Sequence, residues 1–540
     1  MAEKKIDPVA LGIVGKALLA ISHEMATNLR RSAYSTIVRE ARDFSVAVLD
    51  ARGQIVAQAE MIPIQTGGVG AAFDFLVQRG CLDEVDPDTA FLVNDPFQGG
   101  QHLQDIFLFT PLFVDTRLIG YAASVAHHVD VGGAYPGLTA DATDTFQEGI
   151  RLPLAPFSVK RDWGDGFVEQ IIRSNVRVPD KVIGDLNAQF AANHTATERM
   201  NELSERYGVE LVLAVMEELQ DYAERRTREG IRRIPDGTYQ GEAFVELAPW
   251  GLDPARIAVT VEINGDEIAA DFTGTDPQVN GNVNCPLASA VSAVHAAIKG
   301  VLDERDIPFN AGCNRSVSVT VPYGTILNPR EPAAVRARMT PASRAFDAVI
   351  SALSAAVPER VIATGFNTTT AFALSHREPD SGRQHIIGEV LGGGWGATAR
   401  HDGMDALDNP LSNCANVPVE ALEIENPHLR IESFALREGS GGEGKFRGGR
   451  GFERVYLADA DDVLFAAYSD RHDSGPPGLF GGGPGAPGAF VLRRADGSTE
   501  RLPCVASATL QRGDSISVSV GGGGGYGYGA KLDVEQGEEK

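Results

Sequence analysis

Residues 94–133 read NDPFQGGQHLQDIFLFTPLFVDTRLIGYAASVAHHVDVGG. A short apolar strand, Ala90 to Val93, leads into this stretch, and a polar turn then carries His102 and Asp105. A second apolar run follows, then a strand from Ile119 to Ala126 that ends on His127, His128 and Asp130. Two strand ends thus bring imidazoles and carboxylates to one sheet edge, which is how a divalent-metal site is assembled from distant residues. Gly99 and Gly100 allow a sharp turn with positive φ just before His102. Neighbouring strand residues face opposite ways, so at most one of His127 and His128 shares an ion with His102. Asp43, which opens an alternating strand further upstream, offers another carboxylate. Two imidazoles with one or two carboxylates suit zinc, manganese or iron better than magnesium or calcium. The competing reading is a set of hydrogen-bonded structural histidines, since HxxD by itself is a common spacing. The gathering of His, Asp and Asn in one glycine-marked segment adds weight to the metal.

Working outward, 540 residues with 43% apolar content suffice for two to four domains with full cores. A formal charge of −25 and a pI near 4.9 disfavour nucleic acid and anionic membranes as partners and fit a cytoplasmic protein. Five widely spaced cysteines without a CxxC argue against a disulfide framework. No signal peptide and no transmembrane helix are expected, because no apolar run approaches about 18 uninterrupted residues.

The pattern predicts an α+β, multi-domain mixed fold. Residues 1–235 form an N-terminal α/β region that holds the metal site. Asp7-Pro8 starts an amphipathic helix that runs to about Tyr34, with Leu11, Val14, Leu18, Ile21, Met25 and Leu29 on one face. A hairpin spans Asp43 to Glu60. The glycines of Gln65–Gly70 lead into a helix from Ala71 to Arg79, where they either bind an anion or, as preferred, permit tight packing beside the site. Residues 164–233 are helical, with Glu210 to Arg232 a solvated or interface helix. A middle α+β domain spans 236–385, a glycine-rich mainly β region spans 386–531, and 532–540 is an acidic tail.

Two glycine motifs are decoys. Gly439–Lys445 looks like a phosphate loop, but Phe446 stands where Mg²⁺ coordination needs Ser or Thr. Gly392–Ala397 partly matches a dinucleotide turn, yet His401-Asp402-Gly403 are poor helix formers. No credible nucleotide site remains.

Several motifs in this order resemble the hydantoinase B/oxoprolinase family over nearly the whole chain. They are Arg39-Glu40 with Asp43-Phe44-Ser45, Asn94–Phe97 with Gly99–His102 and Asp105, His127–Gly133, Glu148–Arg151, Asp271–Thr275, Phe309–Cys313, Asn416–Glu420 and Arg447–Gly449. The resemblance implies a multi-subunit, ATP-dependent enzyme in which a hydantoinase A-type subunit carries the ATP, in keeping with the missing phosphate loop here. It implies hydrolysis of a cyclic amide, with ketone carboxylation as the alternative reaction and a non-catalytic scaffold as the other. It also implies a metal centre on this chain with Asp43, His102, Asp105 and His127 as ligands, and His128 and Asp130 behind them. On that reading the partner's ATP phosphorylates the amide oxygen, activated water opens the ring, and Glu40, His128 or Asp130 moves protons. The Glu148/Arg151 pair reads as an ordinary surface pair.

Overall fold

The computed structural model describes residues 6–59, 61–302 and 307–528. Helix α1 (Pro8–Ser32) begins where Asp7 accepts a hydrogen bond from Val9 N and Pro8 occupies the first turn. By length and composition α1 is apolar enough to cross a membrane. Here Val14, Leu18, Ile21, Met25 and Leu29 are buried as one stripe. After the short helix α2 (Thr36–Arg39) comes a six-stranded sheet of β1 (Phe44–Asp50), β2 (Ile55–Ala59), β3 (Thr89–Val93), β4 (Asp105–Val114), β5 (Arg117–His127) and β6 (Pro156–Ser158). Their order is β2-β1-β5-β4-β3-β6, with every neighbouring pair antiparallel.

Both faces of this sheet are covered, so β1, expected to alternate between core and solvent, is buried along its whole length. One face packs Phe91, Phe107, Phe109 and Tyr121 against Val69, Phe73 and Leu76 of α3 (Pro63–Gln78). The other meets the helical segment, formed by α4 (Val159–Asp162), α5 (Phe167–Asn175), α6 (Pro179–Tyr207) and α7 (Val209–Ile231). Helix α3 starts at Pro63, not Ala71, because Pro63 supplies a first-turn signal ahead of the glycines. Gly67 and Gly68 therefore lie past the first turn, and they are pressed against Ser292 and Gln101. Close packing, not anion binding, accounts for them.

Strands begin again at β7 (Gly237–Val245), followed by β8 (Ala255–Asn264), β9 (Glu267–Asp271) and, after α8 (Leu287–Val301), β10 (Val317–Thr320). These form a sheet ordered β10-β9-β8-β7, with α9 (Met339–Leu353) packed on it. A third sheet, β12-β11-β15-β18, joins β11 (Thr370–Arg377), β12 (Gln384–Leu391), β15 (Val463–Tyr468) and β18 (Val505–Leu510). Residue 386 thus falls inside β12, and residues 370–391 share a sheet with the C-terminal region. Helix α10 (Val419–Glu425) precedes the fourth sheet, β13-β14-β19-β16-β17, built from β13 (Leu429–Leu436), β14 (Phe452–Ala458), β16 (Ala489–Arg493), β17 (Thr499–Leu502) and β19 (Ser515–Ser519). Helices and several sheets thus make the expected α+β architecture. One continuous buried cluster runs from Val14 to Val520 and joins the parts.

The glycines of the last third form a lattice of extended segments. Gly442 N donates to Gly523 O, Gly523 N to Gly449 O, and Gly449 N to Trp395 O. A Cβ on Gly523 would sit 1.9 Å from Trp395 O, so only hydrogen fits there. Gly439–Lys445 belongs to this lattice and not to a strand–helix phosphate loop. The expected acidic tail lies outside the described residues.

Candidate metal centre

Asp43 and His127 lie at paired ends of β1 and β5, where His127 N donates to Asp43 O at 3.0 Å. Asp105 opens β4 directly opposite His127 in the register. His102 sits in the turn before β4. Gly99 has φ +85°, whereas Gly100 matters for space, since a Cβ there would lie 2.6 Å from Asp95 O. Odd-numbered positions put Asp43, Asp105 and His127 on the α3 face.

His102, Asp105 and His127 each offer a ligand atom, and these atoms lie within 4.8 Å of one another. His102 Nδ1 is 3.0 Å from Asp105 Oδ2, and His127 Nδ1 is 3.5 Å from Asp43 Oδ2 and 3.7 Å from Asp105 Oδ1. The Gln65 side-chain amide donates to both carboxylates, at 2.8 Å to Asp43 and 3.0 Å to Asp105. Arg338 donates to Asp105 Oδ2 at 2.5 Å. The whole cluster is buried.

Burial, then the charge of Asp105, pushes the Asp43 carboxyl up to about 8. Burial, followed by the neighbouring arginines, holds both imidazoles well below their ordinary range, Arg338 acting most on His102 and Arg336 on His127. Asp105 N donates to His102 Nδ1 at 3.3 Å, which makes that nitrogen an acceptor. An acceptor nitrogen facing a carboxylate oxygen at 3.0 Å needs a proton or a cation between them. Two imidazoles and two carboxylates meeting here are a donor set that fits a divalent ion of the zinc, manganese or iron kind.

His128 faces the other way. Its Nε2 meets Gln189 Oε1 at 3.0 Å, and Gln189 in turn donates to Ile106 O and Ser124 O across the sheet. Asp130 accepts from the backbone N–H groups of Arg177 and Gly132 and holds the 130–133 turn. Glu40 pairs with Arg39 at 2.9 Å near the surface. The structure therefore brings Asp43, His102, Asp105 and His127 together and places Glu40, His128 and Asp130 outside the cluster. Strand alternation accounts for His128, and a turn anchored on Arg177 accounts for Asp130.

Above the cluster lies a cavity of about 30 Å³, walled by Asp43, His102, His127, Arg336, Arg338 and Tyr468 together with Ile37, Ile62, Ile64, Val129 and Phe372. Sequence reasoning missed the arginines and Tyr468. The only hint was Val335-Arg336-Ala337-Arg338, two cations alternating in an apolar surround. Arg336 is buried; its Nη2 is 3.4 Å from His127 Nε2, while its Nε and Nη1 have no hydrogen-bond partner. Glu148 is no surface residue. It is buried and accepts from Val335 N and from Arg336 N at 2.7 Å, which fixes the arginine segment. Burial pushes its carboxyl up to about 7. Arg151 reaches Asp95 at 2.6 Å and Glu331 at 2.7 Å.

Residues 7–529 match the sequence profile described as hydantoinase B/oxoprolinase. The chain belongs to the hydantoinase B/oxoprolinase family. The beta subunit of the Pseudomonas jessenii caprolactamase is 33% identical over 459 residues, covering 83% of this chain and 77% of that protein. A protein named as the B-type subunit of a D-/L-hydantoinase, from Pseudomonas sp. (strain NS671), is 32% identical over 520 residues, 92% of this chain and 86% of its own length. The 5-oxoprolinase of Saccharomyces cerevisiae (strain ATCC 204508 / S288c) is 30% identical, and the match covers 95% of this chain but only 41% of that longer protein. Among solved structures, the ATP-dependent caprolactamase of Pseudomonas jessenii superposes with a TM-score of 0.88 at 30% identity, over 97% of this chain and 92% of the other. Nucleotide-free acetone carboxylase also gives 0.88, at 20% identity over 96% and 76% of the two chains, a likeness of fold. These relatives are thus named for a hydantoinase, a caprolactamase and a 5-oxoprolinase, the first two as subunits.

Proposed function

We propose that this chain is the ion-holding component of an ATP-dependent cyclic amide hydrolase and works with a hydantoinase A-type subunit that holds the ATP. The observation that carries this reading is the buried His102/Asp105/His127 group beside Asp43, in a chain whose relatives include a component of a caprolactamase. The division of labour is supported by the glycine motif at 439–445, which is tied up in the backbone lattice.

Asp43, His102, Asp105 and His127 would hold the ion, which supplies Lewis acidity to a carbonyl or a water when bound. The chain's own residues do the rest. Arg336, with two buried donor nitrogens unpaired, donates to an anionic oxygen of a phosphorylated amide. Arg338 holds Asp105 in place, and Glu148 holds Arg336 through its backbone. Ile37, Ile62, Ile64, Val129 and Phe372 exclude bulk water and present an apolar wall to ring methylenes. The cavity admits water-sized species, so a ring enters only as the wall gives way. Tyr468, on the cavity wall, is the candidate for handling protons there, since Glu40, His128 and Asp130 lie outside the cluster.

The ketone-carboxylase alternative draws on the same unpaired guanidinium donors, which suit bicarbonate as well as phosphate. Incubating both subunits with ATP and either a cyclic amide or a ketone plus bicarbonate decides between them. Ring opening that needs both chains and ATP is expected. Carboxylation without ring opening would transfer the site to the second reaction. ATP hydrolysis by this chain alone would contradict the division of labour. An active pair that tolerates loss of the His/Asp cluster would leave this chain as a scaffold.

A further inference from the structure

A second group of histidines stands apart from the centre described above. His376 on β11 and His385 on β12 are direct partners across an antiparallel pair. Such partners share a sheet face with Cβ atoms about 4.5–5.5 Å apart. His428, at the start of β13, closes on both. Its ring centre is 5.2 Å from that of His376 and 5.3 Å from that of His385. His385 Nε2 is 2.8 Å from Glu378 Oε1. All three rings are buried, His428 at 4% exposure.

These rings are poorly explained as structural residues. Neither nitrogen of His428 has a hydrogen-bond partner, nor does His376 Nδ1. Buried imidazole nitrogens left unpaired cost stability unless something binds them. The spacing suits an ion. Imidazole nitrogens lie about 2.0–2.1 Å from zinc, which puts the ring centres of two ligands on a tetrahedral ion about 5 Å apart. A histidine whose far nitrogen meets a carboxylate, as His385 meets Glu378, is the usual supporting arrangement for a metal ligand.

We propose that His376, His385 and His428 form a second transition-metal site, of the zinc type, that pins the start of β13 to the β11–β12 pair. The donor nitrogens do not yet converge. Among the described residues only His102, Asp105 and His127 have ligand atoms mutually within 4.8 Å. Loading the second site therefore turns the rings in place, with backbone register already set by the β11–β12 ladder. The site owes nothing to the reaction assigned to the first centre.

The test uses the full chain, stripped with chelator, reloaded with Zn²⁺ and dialysed, as wild type and as His428→Gln. Zinc per chain is read by mass spectrometry. The expected result is a loss of one zinc per chain in the variant, with the ion at His102 retained, and loss of a zinc-dependent rise in melting temperature. Equal zinc content in the two proteins overturns the proposal. A buried substitution at the start of β13 can unfold the strand, so His376→Asn is measured in parallel, and zinc-edge anomalous diffraction is collected from zinc-soaked wild-type crystals. A peak between the three rings supports the site even where a variant loses both ions. A map with a peak at His102 and none at His428 overturns it.

Discussion

The cluster around His102 and the glycine lattice around Gly523 both gather segments far apart in the chain, but opposite physics holds them. In the cluster, side chains do the work. Two carboxylates, two imidazoles and two guanidiniums are buried together, and each is costly alone. In the lattice the backbone does it, the N–H of one glycine-rich segment meeting the carbonyl of the next. The cluster has polar capacity left over, which is what a binding site needs. The backbone groups of the lattice pair largely with one another, and it serves as scaffold. Substitution should therefore cost stability in the lattice and ligand affinity in the cluster.

The largest effect is expected at Gly523→Ala. The added methyl meets backbone atoms of Trp395 and cannot be accommodated by a side-chain movement, so the loss should be about 3 kcal/mol or more. A urea midpoint that stays put would show that the lattice is looser than its contacts indicate.

One source of acid sensitivity lies beside the cluster. His295 lies on α8, which packs on α3, and burial lowers its imidazole to about 4. The unfolded chain takes up that proton first, near its ordinary value of about 6.5. The stability this ring contributes is thus complete above about pH 6.5 and is lost as pH falls through about 4. His295→Phe should remove up to roughly 3 kcal/mol of that slope between the two limits. Parallel pH–stability curves for wild type and variant would sink this reading.

Gln65→Leu removes the one amide that both carboxylates share. Metal affinity should fall by about 10- to 100-fold with the fold retained, as measured by competition with a chromogenic chelator. Unchanged affinity would mean that the amide only fills space. The smallest effect is expected at Gly12→Ala, in α1, where nothing lies within 4 Å of the added methyl. It should stabilise by about 0.5–1 kcal/mol, in contrast with Gly523→Ala.

Much of the cluster was legible because strand ends and glycine turns are local signals. Alternation alone allowed only one of His127 and His128 into the cluster, and the α3 face puts His127 there. The arginines were illegible for the opposite reason. Arg336 and Arg338 reach the site from about 200 residues away, on an extended segment that Glu148 holds by its backbone. Nothing in Val335–Arg338 reveals that anchor. The glycines of α3 misled because their purpose is close approach to Ser292 and Gln101, a tertiary fact. The lattice was visible as glycine composition but not as structure, since which extended segment lies beside which is set by the whole fold.

The most direct measurement is divalent-metal content and turnover of the assembled enzyme with His102→Ala in this chain. One ion per chain should be lost relative to wild type, and ATP-dependent ring opening should disappear with it. A folded His102→Ala protein that keeps its full metal complement and its activity would show that no ion is held where His102, Asp105 and His127 meet.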